Sequence, residues 1–138
     1  MKKKLFVVLF TFIVLTLVTG CGSKNNDRIK IMDNLIGTWE YEVGTSSDVI
    51  KGIKSTYSFD KNYKFIFKNV AIMKSGGEIT IKDLTGTYEL DMDNKKINLT
   101  FDNKEDSNGL IKELTYKYEN GKFSLNPDKN GNDTYKKK

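Results

Sequence analysis

The chain has 138 residues and a mass of 15.8 kDa, with 23 basic and 18 acidic side chains and a formal net charge of +5. Lys2, Lys3 and Lys4 are the only charges among the first twenty residues, so the remaining 118 carry a net charge of +2 and make no electrostatic case for nucleic-acid binding. That length is one small domain, and with no His and one Cys the chain excludes imidazole catalysis, His-ligated metals, zinc knuckles and intramolecular disulfides. In chain order, the basic start is followed by an apolar run from Leu5 to Leu17, interrupted only by Thr11 and Thr16. A permanent membrane helix needs about 20 such residues. The shorter run suits the apolar core of an export signal.

Val18-Thr19-Gly20-Cys21 closes that segment. Small residues before a cut followed directly by Cys resemble the lipobox of bacterial lipoprotein precursors. The resemblance covers residues 1–21 and implies cleavage between Gly20 and Cys21, a thioether from the Cys21 sulfur to diacylglycerol, and further acylation of the new amine, for instance by palmitate. On this reading residues 1–20 are a signal peptide, residues 21–27 a lipid-anchored flexible tether and residues 28–138 the folded domain. Cys21 is then an anchor and not a redox thiol, on the extracytoplasmic face of a cell membrane. Arg28 is the single arginine against 22 lysines, and Asn and Ile are frequent. That bias fits an AT-rich genome and points to a low-GC Gram-positive host.

Beyond the tether, Ile29, Met32, Leu35 and Ile36 recur at near-helical spacing, with Asp27 placed to cap and Gly37 to terminate a short helix. Every later apolar segment alternates with period two. Trp39, Tyr41 and Val43 form the first such run. Tyr57 and Phe59 lead through Asp60-Lys61-Asn62 to Tyr63, Phe65 and Phe67, and pairing Phe59 with Tyr63 sets Tyr57 against Phe65. Ile79 and Ile81 make a further strand, with Gly86 as a bend before the next. Tyr88, Leu90 and Met92 then pair with Phe101, Leu99 and Ile97 across Asp93-Asn94-Lys95-Lys96. Asn120-Gly121 is a type I′ hairpin signal. It sets Glu119 against Lys122, Tyr118 against Phe123 and Tyr116 against Leu125. Each register keeps the apolar set on one face, whereas a one-residue slip would expose it. Thr134-Tyr135-Lys136 completes the set as a closing strand.

The predicted fold is all-β: an antiparallel up-and-down meander of about eight strands that closes into a small barrel, with the short N-terminal helix plugging one end. A two-sheet sandwich is the alternative closure. Leu35-Ile36-Gly37-Thr38-Trp39 resembles the start of the first strand in lipocalin-like domains, where a G-x-W motif follows a short helix and the Trp closes the barrel base. Leu84-Thr85-Gly86-Thr87-Tyr88 echoes it midway, and hairpin rhythm extends the resemblance loosely over residues 31–136. It implies Gly37 and Trp39 at the barrel base. In that family an Arg lies against the Trp; here Lys136 is the expected substitute.

Such a barrel holds either packed side chains or one small ligand. Trp39, Tyr57, Phe59, Tyr63, Phe65, Phe67, Tyr88, Phe101, Tyr116, Tyr118 and Phe123 are expected to point inward, enough rings to favour a filled interior. Val49, Ile50 and Ile53 on one connection and Val70, Ile72 and Met73 on another, where the alternation set by Phe65 and Phe67 changes parity, form a candidate ligand or partner patch. Asp128-Lys129-Asn130-Gly131-Asn132-Asp133 superficially resembles a calcium loop, but its Gly is misplaced and no Glu closes it, so a polar turn is expected and no metal. No nucleophile elbow, phosphate-cradling loop or paired-acid motif is present, and no enzymatic activity or cofactor is expected. The expected function is therefore a lipid-anchored, non-catalytic binding module of lipocalin-like type for a small apolar ligand. The alternative is a module that contacts another envelope protein through loops or strand edges.

Overall fold

A computed structural model describes residues 23–126 and 134–138. The export segment, the Gly20-Cys21 junction and the calcium-like stretch Asp128–Asp133 lie outside the described residues. The chain divides into two compact units, Met1–Asp33 and Asn34–Lys138. Residues 23–35 are helical (α1), with Ile31 and Met32 buried and Ile29 exposed. Helix therefore extends through residues 23–27, expected as tether, and Asp27 lies inside it and not at its cap. Once an apolar face fixes a helix, each added residue toward the N-terminus gains a hydrogen bond without a new nucleation cost.

The second unit is an eight-stranded antiparallel meander: β1 (Gly37–Gly44), β2 (Ile50–Phe59), β3 (Lys64–Met73), β4 (Glu78–Asp91), β5 (Lys96–Phe101), β6 (Glu113–Glu119), β7 (Lys122–Leu125) and β8 (Lys136–Lys137). Neighbours pair in chain order from β1 to β7, while β8 returns to β1 through Trp39–Lys137 and Glu40–Lys136. Tyr135, one residue before β8, bridges Leu125 of β7. That contact nearly closes the sheet into a barrel, the lipocalin-like architecture expected.

The hairpins keep their expected faces, but two of the three keep a different register. Asn120 and Gly121 adopt φ of 52° and 76°, and Glu119–Lys122, Tyr118–Phe123 and Tyr116–Leu125 pair as anticipated. In the β2–β3 hairpin Phe59 pairs with Phe65 and Tyr57 with Phe67, and in the β4–β5 hairpin Leu90 pairs with Ile97 and Tyr88 with Leu99. Both registers lie two residues from those expected, the β2–β3 turn being one residue longer and the β4–β5 turn of the same length. Tyr63 and Lys95 close four-residue turns at φ of 61° and 54°. An aspartate holds each turn: the Asp60 carboxylate accepts the Asn62 and Lys64 amides, and the Asp91 carboxylate accepts the Asn94 amide. A slip of two restores the side-chain face, so the concave surface stays apolar. Tyr63 is the casualty: it is exposed on the turn and packs at a tilt against Tyr88 with ring centres 5.6 Å apart. Tyr118 is likewise only half-buried.

Directly opposed residues share a face in an antiparallel sheet, so the concave side reads as lateral rows. The first row is Phe59, Phe65, Gly86 and Phe101, and the second is Trp39, Tyr57, Phe67 and Leu84. Their rings contact one another: Tyr57–Phe67 at 4.9 Å, Phe59–Tyr88 and Phe65–Phe101 edge-on at 5.1 Å, Trp39–Phe123 at 5.5 Å. Ile97, Leu99, Leu114, Leu125 and Tyr135 are buried with them. This part of the barrel is occupied by packed aromatic side chains, each burying roughly 150–250 Å².

Gly86 is a core contact and not a bend between strands, because β4 runs unbroken past it. A Cβ built there would stand 2.7 Å from Cε1 of Phe65 and closer still to the Thr100 carbonyl oxygen. Gly86→Ala should therefore lower stability in urea by about 1–3 kcal/mol, the usual range for an overpacked core; an unchanged midpoint would contradict the packing described.

Burial, then the neighbouring Asp60 and Tyr63, pushes the Tyr88 hydroxyl up to about 12; burial, then Tyr41, does the same for Tyr135. Burial raises Tyr57 further still. These hydroxyls stay protonated in the folded barrel but ionise near pH 10 in the unfolded chain. Their contribution to stability is complete below pH 10 and is lost as pH rises through 12. Phenolate absorbance should show Tyr57, Tyr88 and Tyr135 titrating late, together with unfolding; early titration of all seven tyrosines would contradict their burial.

Candidate functional site

The two ends of the barrel differ. At one end lie the tight turns 60–63, 92–95 and 120–121 and the start of β1. Gly37 adopts φ of 127°, and a Cβ there would meet the Lys137 Cε at 2.9 Å. The missing Cβ leaves room for the Lys137 side chain. Trp39 is buried, and its indole N–H donates to the Leu35 carbonyl at 2.8 Å. Lys137 places its Nζ 5.6 Å from the centre of the Trp39 ring and donates to the Asn34 carbonyl at 2.7 Å. The cation on the Trp is thus Lys137 and not Lys136, because Lys137 is the residue directly opposite Trp39 and so shares its face. Gly37 and Trp39 lie at this end of the barrel, opposite Phe59 and Tyr57.

The opposite end is built by strands of unequal length. β2, β3 and β4 have 10, 10 and 14 residues, whereas β5 has 6 and stops at Phe101, opposite Gly86. Beyond that point the concave face continues for further rows with no strand alongside β4 among the described residues. The third row is Tyr41, Ser55, Asn69 and Lys82, and the fourth is Val43, Ile53, Ala71 and Ile79. Ile50 and Met73 pair beyond them. The fourth row is wholly apolar, yet Val43 is 44% and Ile79 56% exposed. Apolar side chains on a concave face normally belong to a core; here the facing wall has ended before they are covered.

The third row is the polar floor of this opening. Tyr41 leans on Tyr135, ring centres 5.7 Å apart. Ser55, Asn69 and Lys82 are half-buried, and the Asn69 Oδ1 is buried with no hydrogen-bond partner among the described residues. The Lys82 Nζ donates to the carbonyl of Asp106, on the connection 102–112 that replaces further β5 pairing. Asn103 folds that connection by accepting the Glu105 and Asp106 amides, and Ser107 is buried within it, donating to the Lys104 carbonyl at 3.0 Å.

The parity change anticipated near Val70 is a β-bulge located on β4: Asn69 pairs with Lys82 and Val70 with Thr80, leaving Ile81 as the extra residue. The six residues of the expected patch consequently separate. Ile50, Ile53 and Met73 lie on the concave face. Val70 and Ile72 alternate onto the other side of the same ribbon, where Lys54 stands opposite Val70 and reaches Glu78, opposite Ile72. Val49 is exposed on the β1–β2 connection. Hydrogen bonding to Glu78 raises the Lys54 ammonium, and the same bond holds the Glu78 carboxyl low. The lysine stem is an amphipathic cover for an otherwise apolar spot. Tyr41, Val43, Ile79, Asn69 and Lys82 were missed as site residues. The alternation of β1 gave Tyr41 and Val43 their face, but their exposure depends on where β5 stops.

Among the described residues no group of three or more His, Cys, Asp or Glu side chains could hold a metal, and no helix is long and apolar enough to cross a membrane. No family model matches the chain, and no curated protein or solved structure matches it.

Trp39→Phe removes the donor to the Leu35 carbonyl and part of the surface under Lys137. It should cost about 1–3 kcal/mol, the usual penalty for a buried acceptor left unpaired, measured by circular dichroism in urea. A cost below about 0.5 kcal/mol, the scatter of neutral surface changes, would contradict a structural role for the base.

Proposed function

We propose that this protein is a lipid-anchored, extracytoplasmic, non-catalytic binding module of the lipocalin-like kind, taking an apolar ligand at the open end of its barrel. The observation that carries the binding site is the fourth concave row, Val43, Ile53, Ala71 and Ile79, apolar throughout and exposed at both flanks. Packed rings fill the first two rows, so the ligand lies at the mouth and not deep in the barrel. At about 25 cal/mol per Å² of apolar surface covered, burying such a row offsets a useful part of the cost of association. The anchor part of the reading rests on Val18-Thr19-Gly20-Cys21 and the export signal before it. Two acyl chains hold a protein to a bilayer firmly where one holds only marginally. Val49 and Ile111, 60% and 53% exposed on connections at this same end, favour a second reading in which the apolar group is presented by another envelope protein.

Two experiments test the parts separately. Val43→Asp with Ile79→Asp alters exposed positions, so the melting temperature should hold. Retention of apolar species from envelope lipid extract, followed by native mass spectrometry, should fall by at least tenfold. Undiminished retention would contradict a site at the mouth, and no retention by the unmodified protein would contradict the small-ligand reading. Cys21→Ala should release the protein from membranes or leave its precursor uncleaved; unaltered processing and membrane retention would contradict the anchor.

A further inference from the structure

We infer that the ligand of the open end is an amphiphile with an oxyanionic head group, a carboxylate or phosphate, held at Lys82 with its apolar chain lying along Val43, Ile53 and Ile79. This deepens the proposal that the mouth takes an apolar ligand, and rests on it. The concave rows impose the orientation: the polar row of Tyr41, Ser55, Asn69 and Lys82 lies between the packed rings and the apolar fourth row. Strands stand about 4.8 Å apart and alternate residues about 6.6 Å along a strand. A head group on the third row therefore has its first few methylenes over the fourth row and the next over Ile50 and Met73. The reverse orientation would set an alkyl chain on polar groups.

Charge selects the head. Lys82 forms no ion pair among the described residues, and its partner is a neutral backbone carbonyl, that of Asp106. The nearest concave neighbours, Asn69, Ser55 and Tyr41, are uncharged. An ammonium whose partner is a neutral acceptor gains a charge-assisted bond when an oxyanion arrives, roughly twice the strength of a neutral one. A cationic head would meet Lys82 as a like charge. The lysines elsewhere on the ribbon are differently placed: Lys54 is on the convex side and already committed to Glu78.

The test is calorimetry on the full chain in lipid nanodiscs, with empty nanodiscs subtracted. The probes are octanoate, octyl phosphate, octanol and octyltrimethylammonium. Octanoate or octyl phosphate should bind at least tenfold more tightly than octanol and octyltrimethylammonium, and the tighter of the two identifies the head. Lys82→Met should abolish that preference, and Lys82→Arg should retain it. Equal binding of all four probes, or a preference that survives Lys82→Met, would overturn the oxyanion assignment and leave the apolar mouth standing. Binding of none would overturn the mouth reading itself. Melting curves of both variants separate a lost head-group contact from a lost fold.

Discussion

The structure depends on a mismatch of strand lengths around a closed meander. Alternation commits every second residue of β1 to β4 to the concave side, and that commitment continues to the ends of the strands whether or not a wall stands opposite. Where β5, β6 and β7 face the long strands, the concave residues are rings and aliphatic chains buried against one another. Where β5 has ended, the same alternation delivers a row whose flanks, Val43 and Ile79, stand exposed. One rule thus produces both the core and the candidate site. The difference between them is the stopping point at Phe101.

Local chemistry then fixes each end. At the closed end, Lys137 over Trp39 and the indole bond to Leu35 tie the last strand to the first. At the open end, the Ile81 bulge and the inward Lys82 interrupt the edge that β4 presents. Bulges and inward charges are the usual means by which proteins keep such an edge from pairing with another chain. The edge also explains why the connection 102–112 is folded on its own hydrogen bonds, through Asn103 and Ser107, and reaches β4 by only a few polar contacts such as Lys82 with Asp106.

Much of the fold was legible in the residues. Asn120-Gly121 fixed its hairpin to the residue, because only a type I′ turn uses positive φ at both positions. The other two hairpins were legible as to face and not as to register: the capping carboxylates of Asp60 and Asp91 organise turns at other positions, and a slip of two leaves the hydrophobic pattern unchanged. Pattern cannot detect an error it is invariant to. The same logic separates Lys137 from Lys136, whose order depends on how β8 registers against β1 across a long connection. The candidate patch was legible in part. A run such as Val70-Ala71-Ile72-Met73 announces a disturbed alternation, but not which strand carries the extra residue, so Val70 and Ile72 were grouped with Ile53 when they face away from it. Lys82 and Asn69 were invisible as a site, since their meaning comes from sharing a row with each other.

Native-state hydrogen exchange along β4 tests the central claim most directly. Residues 86 and 87 pair with both β3 and β5, the Tyr88 amide donates to the Tyr63 carbonyl and residues 88–91 pair with β5, whereas residues 78–83 pair with β3 alone among the described residues. Amides of 78–83 should exchange orders of magnitude faster than those of 86–89, with Tyr88 among the slowest in the chain. Uniformly slow exchange from Glu78 to Asp91 would mean that a wall covers the fourth row, and the open end would not exist.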